Sequence, residues 1–195
     1  MMDSGQPLVL PEAELLLLRH GIAEARQDGR ADASRALTAA GRRRCAVVLE
    51  RLRQRGLAAD RLLSSPLLRA RQTAELAVQA DLAPSLELAE ALAPGGGSLA
   101  QLALWLAALP AGAGRRPRLL LVGHEPDLGE LASALLGAPA GAITLRKSGL
   151  ALLRCGAPSS ASAGDPAAPA AVGPRPLASL RLLLTPAVMV GGAGP

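Results

Sequence analysis

Two short apolar runs of the sequence end at the two histidines of the chain. They are ELLLLRHG over residues 14–21 and RLLLVGH over residues 118–124. An unbroken apolar run of this length, closed by a glycine, predicts a buried strand that stops at a loop. In open α/β sheets, ligands bind beyond the carboxyl ends of the strands. If the two strands are parallel neighbours, His20 and His124 therefore share one binding edge.

Predicted helices alternate with these and other predicted strands. Further strands are predicted at residues 61–64, 150–154 and 178–184, with a connecting segment at 86–94. Helices are predicted from Thr38 to Arg55, from Ser65-Pro66 (as cap and first helical position) to about Gln79, from Ser98 to Leu109, and from Pro126 to Leu136. This alternation predicts an α/β layered sandwich with a mostly parallel central sheet flanked by helices.

Composition limits the class of protein. The chain has 195 residues, 50% of them hydrophobic, which suits one packed domain and excludes a wholly disordered chain. We expect a single domain over residues 1–195, interrupted by a low-complexity insert at about residues 156–176. Two cysteines cannot form a disulfide scaffold. No apolar run reaches the ~18 residues of a membrane span, and a secretory signal is not expected. A cytoplasmic location without a membrane partner is expected.

The net charge of +5 raises the question of a nucleic-acid partner. The only aromatic residue is Trp105, so the chain cannot build a stacking platform for single strands. The arginines are scattered, apart from a cluster between Arg42 and Arg55. That cluster is typical of a solvated helix face, with a weak anion-binding surface as the alternative. We expect no nucleic-acid partner.

Arginines stand close to the predicted strand ends. Arg19 directly precedes His20, and Arg69 lies in the first turn of the helix that follows Ser65-Pro66. Guanidinium groups match phosphate oxygens, and helix N-termini add positive dipole ends. Two arginines, two histidines and two helix starts at one edge predict an anion pocket, for which phosphate is the best occupant. The alternative is that Arg19 and Arg69 are surface ion-pair residues.

Four motifs resemble those of the histidine phosphatase (phosphoglycerate-mutase-like) superfamily. They are LRHG at residues 18–21, LTAAG at 37–41, SSPLLRARQTA at 64–74 and VGHEP at 122–126, in the order of the family. The chain is most similar to the small SixA-type phosphohistidine phosphatases, because it is short and because LRKSG at 145–149 and LLLTP at 182–186 are similar to the ends of that branch. The insert at about 156–176 departs from the pattern. The resemblance implies a phosphoglycerate-mutase-like fold and phosphatase activity.

The resemblance also implies that His20 is the nucleophile. Its imidazole would attack phosphorus and form a covalent phosphohistidine, which water then hydrolyses. The ring must be neutral for this step. We expect a backbone carbonyl near the Gly21 loop to hold the other ring nitrogen as a donor.

Further residues are expected to surround the transferred phosphoryl group. The resemblance assigns this role to Arg19, Arg69 and His124, with His124 cationic or at least a hydrogen-bond donor. Ser65 is expected to cap the following helix and is a possible phosphate contact, and Thr73 is expected to support the turn at Arg69. We expect no cofactor and no metal, because two histidines without a cysteine beside them make a poor transition-metal site.

The general acid is the least defined role. Family members that cleave phosphoesters use a glutamate between the Arg69 helix and His124, where Glu90 is the first candidate and Glu87 the second. Phosphohistidine has a labile P–N bond and needs the acid less. The main hypothesis is therefore a protein phosphohistidine phosphatase whose partner is a phosphorylated protein. The alternatives are a phosphomonoesterase for a small phosphorylated metabolite, such as a sugar phosphate or nucleotide, with Glu90 as acid, and a non-catalytic phosphate-binding signalling module.

Overall fold

A computed structural model gives the fold over residues 8–110, 114–156 and 176–190. The strands are β1 (Ala13–Arg19), β2 (Arg61–Ser64), β3 (Glu87–Leu88), β4 (Arg118–Gly123), β5 (Leu150–Cys155) and β6 (Ala178–Leu184). The α-helices are α1 (Ala39–Gln54), α2 (Leu68–Gln79), α3 (Leu99–Ala107), α4 (Asp127–Leu135) and α5 (Pro186–Val190). Single turns of 3₁₀-helix lie at Asp32–Ser34 and Glu90–Leu92.

The strands form one mixed sheet in the order β3-β2-β4-β1-β5-β6. Strands β3, β2, β4 and β1 pair in parallel, while β5 is antiparallel to both β1 and β6. In the β1–β4 ladder Arg19 lies opposite Gly123, and in the β2–β4 ladder Ser64 lies opposite Val122. The residues that follow these three strands therefore meet at one edge. The predicted layered α/β fold with a mostly parallel centre is confirmed.

Both faces of the sheet are covered by apolar side chains. Leu16 and Leu18 pack with α1 and α2 on one face, and Leu15 and Leu17 pack with α3 and α4 on the other. All four of these leucines are at most 1% exposed. Burial on both faces explains why β1 is a continuous leucine run rather than an alternating pattern. The same burial fixes β1, and hence His20, in the middle of the layered structure.

The helix starts agree with the sequence at two positions and differ at two others. Thr38 and Ser98 cap α1 and α3, accepting N–H bonds from Gly41 at 2.9 Å and Gln101 at 3.1 Å. The prediction that Ser65-Pro66 begins α2 is wrong, because the helix begins at Leu68. Similarly, α4 begins at Asp127, with Pro126 as its N-cap residue. Ser65 is therefore not the N-cap residue of α2, although its hydroxyl accepts the Leu67 N–H at 3.3 Å in the preceding turn.

The predicted connecting segment at 86–94 contains the short edge strand β3 and a 3₁₀ turn. The helix α5 and the 3₁₀ turn at Asp32–Ser34 were not predicted either. Residues 157–175, most of the predicted low-complexity insert, lie outside the described residues. None of the helices in the described ranges is long and apolar enough to cross a membrane.

Candidate active site

The two histidines lie side by side at the carboxyl edge of the parallel strands. His20 follows β1 and His124 follows β4, and their ring centroids are 5.0 Å apart with the planes tilted by 55°. Both rings are buried, 7% exposed for His20 and 3% for His124, and each has a polar neighbour, Arg69 for His20 and Ser65 for His124. The backbone N–H of His20 also donates to the backbone carbonyl of Gly123 at 3.1 Å, and this bond connects the two loops. The predicted meeting of the imidazoles is therefore present.

His20 is held in one tautomer by its own loop. Its Nδ1 lies 2.7 Å from the carbonyl oxygen of Gly21. Because a carbonyl oxygen only accepts, Nδ1 carries the proton and Nε2 keeps its lone pair. Burial lowers the pKa of His20 to about 3, with smaller contributions from the nearby cations, so the ring is neutral near pH 7. This is the carbonyl that the sequence analysis expected near Gly21.

The backbone around His20 is fixed from α2 and α1. The Gly21 N–H donates to Thr73 Oγ1 at 3.1 Å, and the Thr73 hydroxyl donates to the Arg69 carbonyl at 2.7 Å. A Cβ on Gly21 would collide with Cys45 Sγ. A larger residue at this position would therefore require the Cys45 side chain to move. Thr73 supports the turn at Arg69 as expected, and it also links that turn to the nucleophile loop.

Arg69 reaches His20 from the first turn of α2. Its Nε donates to His20 Nε2 at 3.3 Å, which agrees with a lone pair on that nitrogen. Its Nη1 donates to the Asp32 carbonyl and its Nη2 to Asp32 Oδ2, each at 2.9 Å. Arg69 is 4% exposed and is therefore no surface ion-pair residue. Its guanidinium is thus held between the His20 ring and Asp32.

Asp32 is a residue that the sequence analysis missed. Besides Arg69, its carboxylate pairs with Arg26 at 3.0 Å and with Arg35 at 2.8 Å. Partial burial opposes ionisation, but the hydrogen bond from Arg26 and the charge of Arg69 lower the pKa of Asp32 to about 2. The only available signal was an isolated carboxylate in the stretch RADASR at residues 30–35, flanked by arginines.

His124 faces Ser65 across the pocket. The His124 Nε2 and the Ser65 Oγ are hydrogen-bonded at 2.8 Å. Within the described chain, His124 Nδ1 is buried and has no hydrogen-bond partner. Burial lowers the pKa of His124 to about 4, and the charge of Arg69 acts in the same direction. The ring is therefore neutral near pH 7 in this structure, and its role as a donor to a phosphoryl group stays a prediction.

Arg19 is oriented by the loop that precedes β5. Its Nη1 donates to the Leu145 carbonyl at 2.8 Å, and the Leu145 N–H donates to Glu125 Oε1 at 3.1 Å. Burial raises the pKa of Glu125, although the Leu145 N–H opposes this. Glu125 thus holds the loop that orients Arg19. Over the described ranges, the Arg19 Nε is buried without a hydrogen-bond partner.

The two candidate acids are placed differently. Glu87 ends in a two-bond ion pair with Arg61, at 2.9 and 2.7 Å. Glu90 follows β3 at the binding edge, and the neighbouring Ala89 N–H donates to the Ser64 carbonyl at 2.9 Å. The Glu90 side chain is exposed and makes no hydrogen bond or ion pair with any described residue. Its role as an acid stays a prediction.

Among the residues that the structure describes, no three His, Cys, Asp or Glu side chains are grouped so as to hold a metal ion. Groups that can donate hydrogen bonds lie beside His20 instead: the guanidinium of Arg69 contacts its ring, and the His124 ring 5.0 Å away is bonded to the Ser65 hydroxyl. Donors of this kind stabilise a phosphoryl group by charge and position.

Comparison with known proteins agrees with this geometry. The sequence model of the histidine phosphatase superfamily (branch 1) matches residues 15–93, which include His20, Arg69 and Glu90. An uncharacterized protein of Picosynechococcus is 45% identical over 148 residues, which make up 74% of this chain and 86% of that protein. The chain belongs to the histidine phosphatase superfamily. It is therefore a phosphatase by class.

Solved structures show the same fold for this histidine phosphatase. The protein histidine phosphatase SixA in complex with tungstate has a TM-score of 0.69 and 21% identity, over 90% of this chain and 99% of that chain. A mycobacterial glucosyl-3-phosphoglycerate phosphatase has a TM-score of 0.58 and 20% identity, over 73% of this chain and 90% of that chain. The SixA-like fold expected from the motifs is confirmed.

Proposed function

We propose that this phosphatase hydrolyses phosphohistidine on a protein through a covalent phosphohistidine at His20. The observation that carries the proposal is the state of His20. Its proton is held on Nδ1 by the Gly21 carbonyl, and its Nε2 lone pair faces the donors of the pocket. A neutral, oriented imidazole is the nucleophile that phosphoryl transfer in this class requires.

The reaction would proceed in two displacements. In the first, the His20 Nε2 lone pair forms a bond to phosphorus while the P–N bond of the substrate breaks. The leaving imidazole departs neutral when its other nitrogen already carries a proton. In the second, water attacks phosphorus, the bond to Nε2 breaks, and inorganic phosphate is released. Arg69, His124 and Ser65 would hold the phosphoryl oxygens in both steps, with Arg19 as a fourth donor.

The carboxylates around the pocket favour a P–N bond over an ester. An ester leaves as an alkoxide and needs a proton from a general acid. Asp32 is bound to three arginines, Glu87 is bound to Arg61, and Glu125 accepts a backbone N–H. Among the described residues, the exposed Glu90 and the carboxylates of Asp127 and Glu130, which line the cavity beside His124, are the remaining candidates. A phosphohistidine substrate makes fewer demands on such an acid, which supports it as the substrate class.

Trapping of the intermediate tests the proposal. The protein is mixed with a ³²P-phosphohistidine peptide, quenched rapidly in alkali and analysed for acid-labile, alkali-stable label. We expect label on the wild type and none on His20→Ala, while Arg55→Ala, a change at the opposite edge of the sheet, labels normally. Equal labelling of wild type and His20→Ala would refute the nucleophile. Binding without any label or released phosphate would favour the non-catalytic module.

A small phosphomonoester is the second candidate, and one cavity favours it. A cavity of about 250 Å³ adjoins His124 and is lined mostly by apolar side chains, among them Leu99, Leu102 and Trp105. A compact organic leaving group would fit such a space. If Glu90→Gln abolishes phosphoester turnover and spares phosphohistidine turnover, Glu90 is an acid and esters are substrates. If neither substrate class responds, Glu90 has no part in the chemistry.

A further inference from the structure

A second set of cations lies beside the phosphoryl pocket. Arg19, Arg44, Arg146 and Lys147 line one groove of about 660 Å³ with Ile22 and the start of α5. We call this space the basic groove. No acidic side chain is among its lining residues in the described chain. The groove is much larger than a single phosphate, and four positive charges face it.

The basic groove is at the same edge of the sheet as His20. Arg19 ends β1 directly before His20, and Lys147 precedes Ser148, whose N–H lies 3.1 Å from the Arg19 carbonyl and 3.2 Å from the His20 carbonyl. Thr185, which follows β6, lines the groove from the far side. A substrate whose phosphoryl group is on His20 would therefore have its neighbouring groups within reach of these cations.

The cations of the basic groove have no ion-pair partner among the residues that the structure describes. Arg44, Arg146 and Lys147 form no ion pair with any residue of the described ranges, whereas other arginines such as Arg61 and Arg115 are bound to carboxylates. The Nε of Arg44, like that of Arg19, is buried without a hydrogen-bond partner in the part of the chain that the structure covers. Clustered like charges with unused donors are stabilised when an anion binds.

We propose that the basic groove binds acidic side chains that flank the phosphohistidine of the protein substrate. The inference rests on the proposed function, because it extends that substrate beyond its phosphoryl group. The size of the groove favours a peptide segment over a lone anion. Ile22, Pro186 and Ala187 at its wall would contact the methylene groups of Glu or Asp side chains.

Paired substrates test the inference. Two phosphohistidine peptides differ only in their flanks, which carry Glu in one and Gln in the other, and the ratio of their kcat/KM values is the readout. We expect the wild type to prefer the acidic peptide roughly tenfold at low salt, because two exposed ion pairs contribute on the order of fivefold or less each. The preference should fall as ionic strength rises.

Variants locate the effect. The double variant Arg146→Gln/Lys147→Gln should bring the ratio close to one, and Lys147→Arg alone should keep it. Arg55→Gln removes an exposed charge at the opposite edge and should leave the ratio unchanged. Inhibition by the unphosphorylated acidic peptide gives a second readout that does not depend on turnover, and its inhibition constant should rise about as much in the double variant.

Three outcomes would overturn the inference. The first is a wild type that treats both peptides alike, and the second is a preference that survives in the double variant. The third is a double variant that loses turnover of small phosphoesters with a second phosphate or carboxylate but keeps the peptide ratio, since the groove would then serve a metabolite. In each case the phosphohistidine peptide still labels His20, whereas failure of the proposed function would leave no label from that peptide.

Discussion

Acidification should destabilise this protein through its two buried histidines. The pKa of each ring is lowered from 6.5, to about 3 for His20 and about 4 for His124. The folded state therefore binds fewer protons than the unfolded state, and stability falls as the pH drops below 6.5. At pH 5, about 1.5 units below the unfolded pKa, each histidine lowers the free energy of unfolding by roughly 2 kcal/mol, at about 1.36 kcal/mol per pKa unit. The two together lower it by about 4 kcal/mol. That is a large part of a typical free energy of unfolding of about 5–15 kcal/mol.

Urea unfolding at pH 7 and pH 5 measures this loss. The fluorescence of Trp105 reports unfolding without interference, because it is the only aromatic residue of the chain. His124→Gln should remove close to half of the difference between the two pH values. Burial raises the pKa of Glu125, so protonation of this one carboxyl on acidification stabilises the folded state and offsets part of the loss from the two histidines. Equal unfolding free energies at pH 7 and pH 5 in the wild type would refute the claim that both rings are buried and neutral.

Three further outcomes follow from the site. In the ligand-free protein, NMR should show that neither histidine ring titrates between pH 8 and pH 5, and a midpoint near 6.5 for either ring would contradict its burial. Asp32→Asn should lower the unfolding free energy by about 1 kcal/mol, since a pKa shift from 3.8 to about 2 is discounted by about half for a side chain that is 35% exposed. Gly21→Ala should cost about 1–3 kcal/mol by overpacking against Cys45, and Cys45→Ala should recover part of this loss in a thermal unfolding series. An additive result for those two substitutions would contradict the contact.

The sequence predicted the parts of the fold in which one physical effect dominates. The runs before His20 and His124 have an unbroken apolar centre, which favours strands buried on both faces, and the glycines beside the histidines marked where those strands stop. The meeting of the two rings followed from their positions once β1 and β4 are parallel neighbours, a pairing that the structure supplies. The Thr38 and Ser98 caps were equally local, since a hydroxyl at a helix start needs only its own N–H groups.

The parts that could not be predicted depend on contacts between distant segments. Asp32 lies far from Arg69 in the sequence, and no local pattern tells which of the arginines around it has an enclosed position. The prediction of where α2 begins was wrong for a related reason. Ser65-Pro66 has the residues of a helix start, but the helix begins only at Leu68. The Ser65 hydroxyl accepts the Leu67 N–H at 3.3 Å and is also hydrogen-bonded to His124, a partner that no local pattern reveals.

Two rings of similar burial acquire different roles because their hydrogen-bond partners differ. His20 Nδ1 faces a carbonyl, which cannot donate, so its proton and its Nε2 lone pair are both fixed before a substrate arrives. His124 Nε2 faces the Ser65 hydroxyl, which donates or accepts, so that ring can hold its proton on either nitrogen. A phosphoryl dianion beside His124 raises its pKa, because an opposite charge favours the protonated form. The same group bonded to His20 Nε2 leaves no lone pair there for a proton. Burial thus makes both rings neutral. The Gly21 carbonyl then suits His20 to act as the nucleophile, and the Ser65 hydroxyl leaves His124 free to act as a donor.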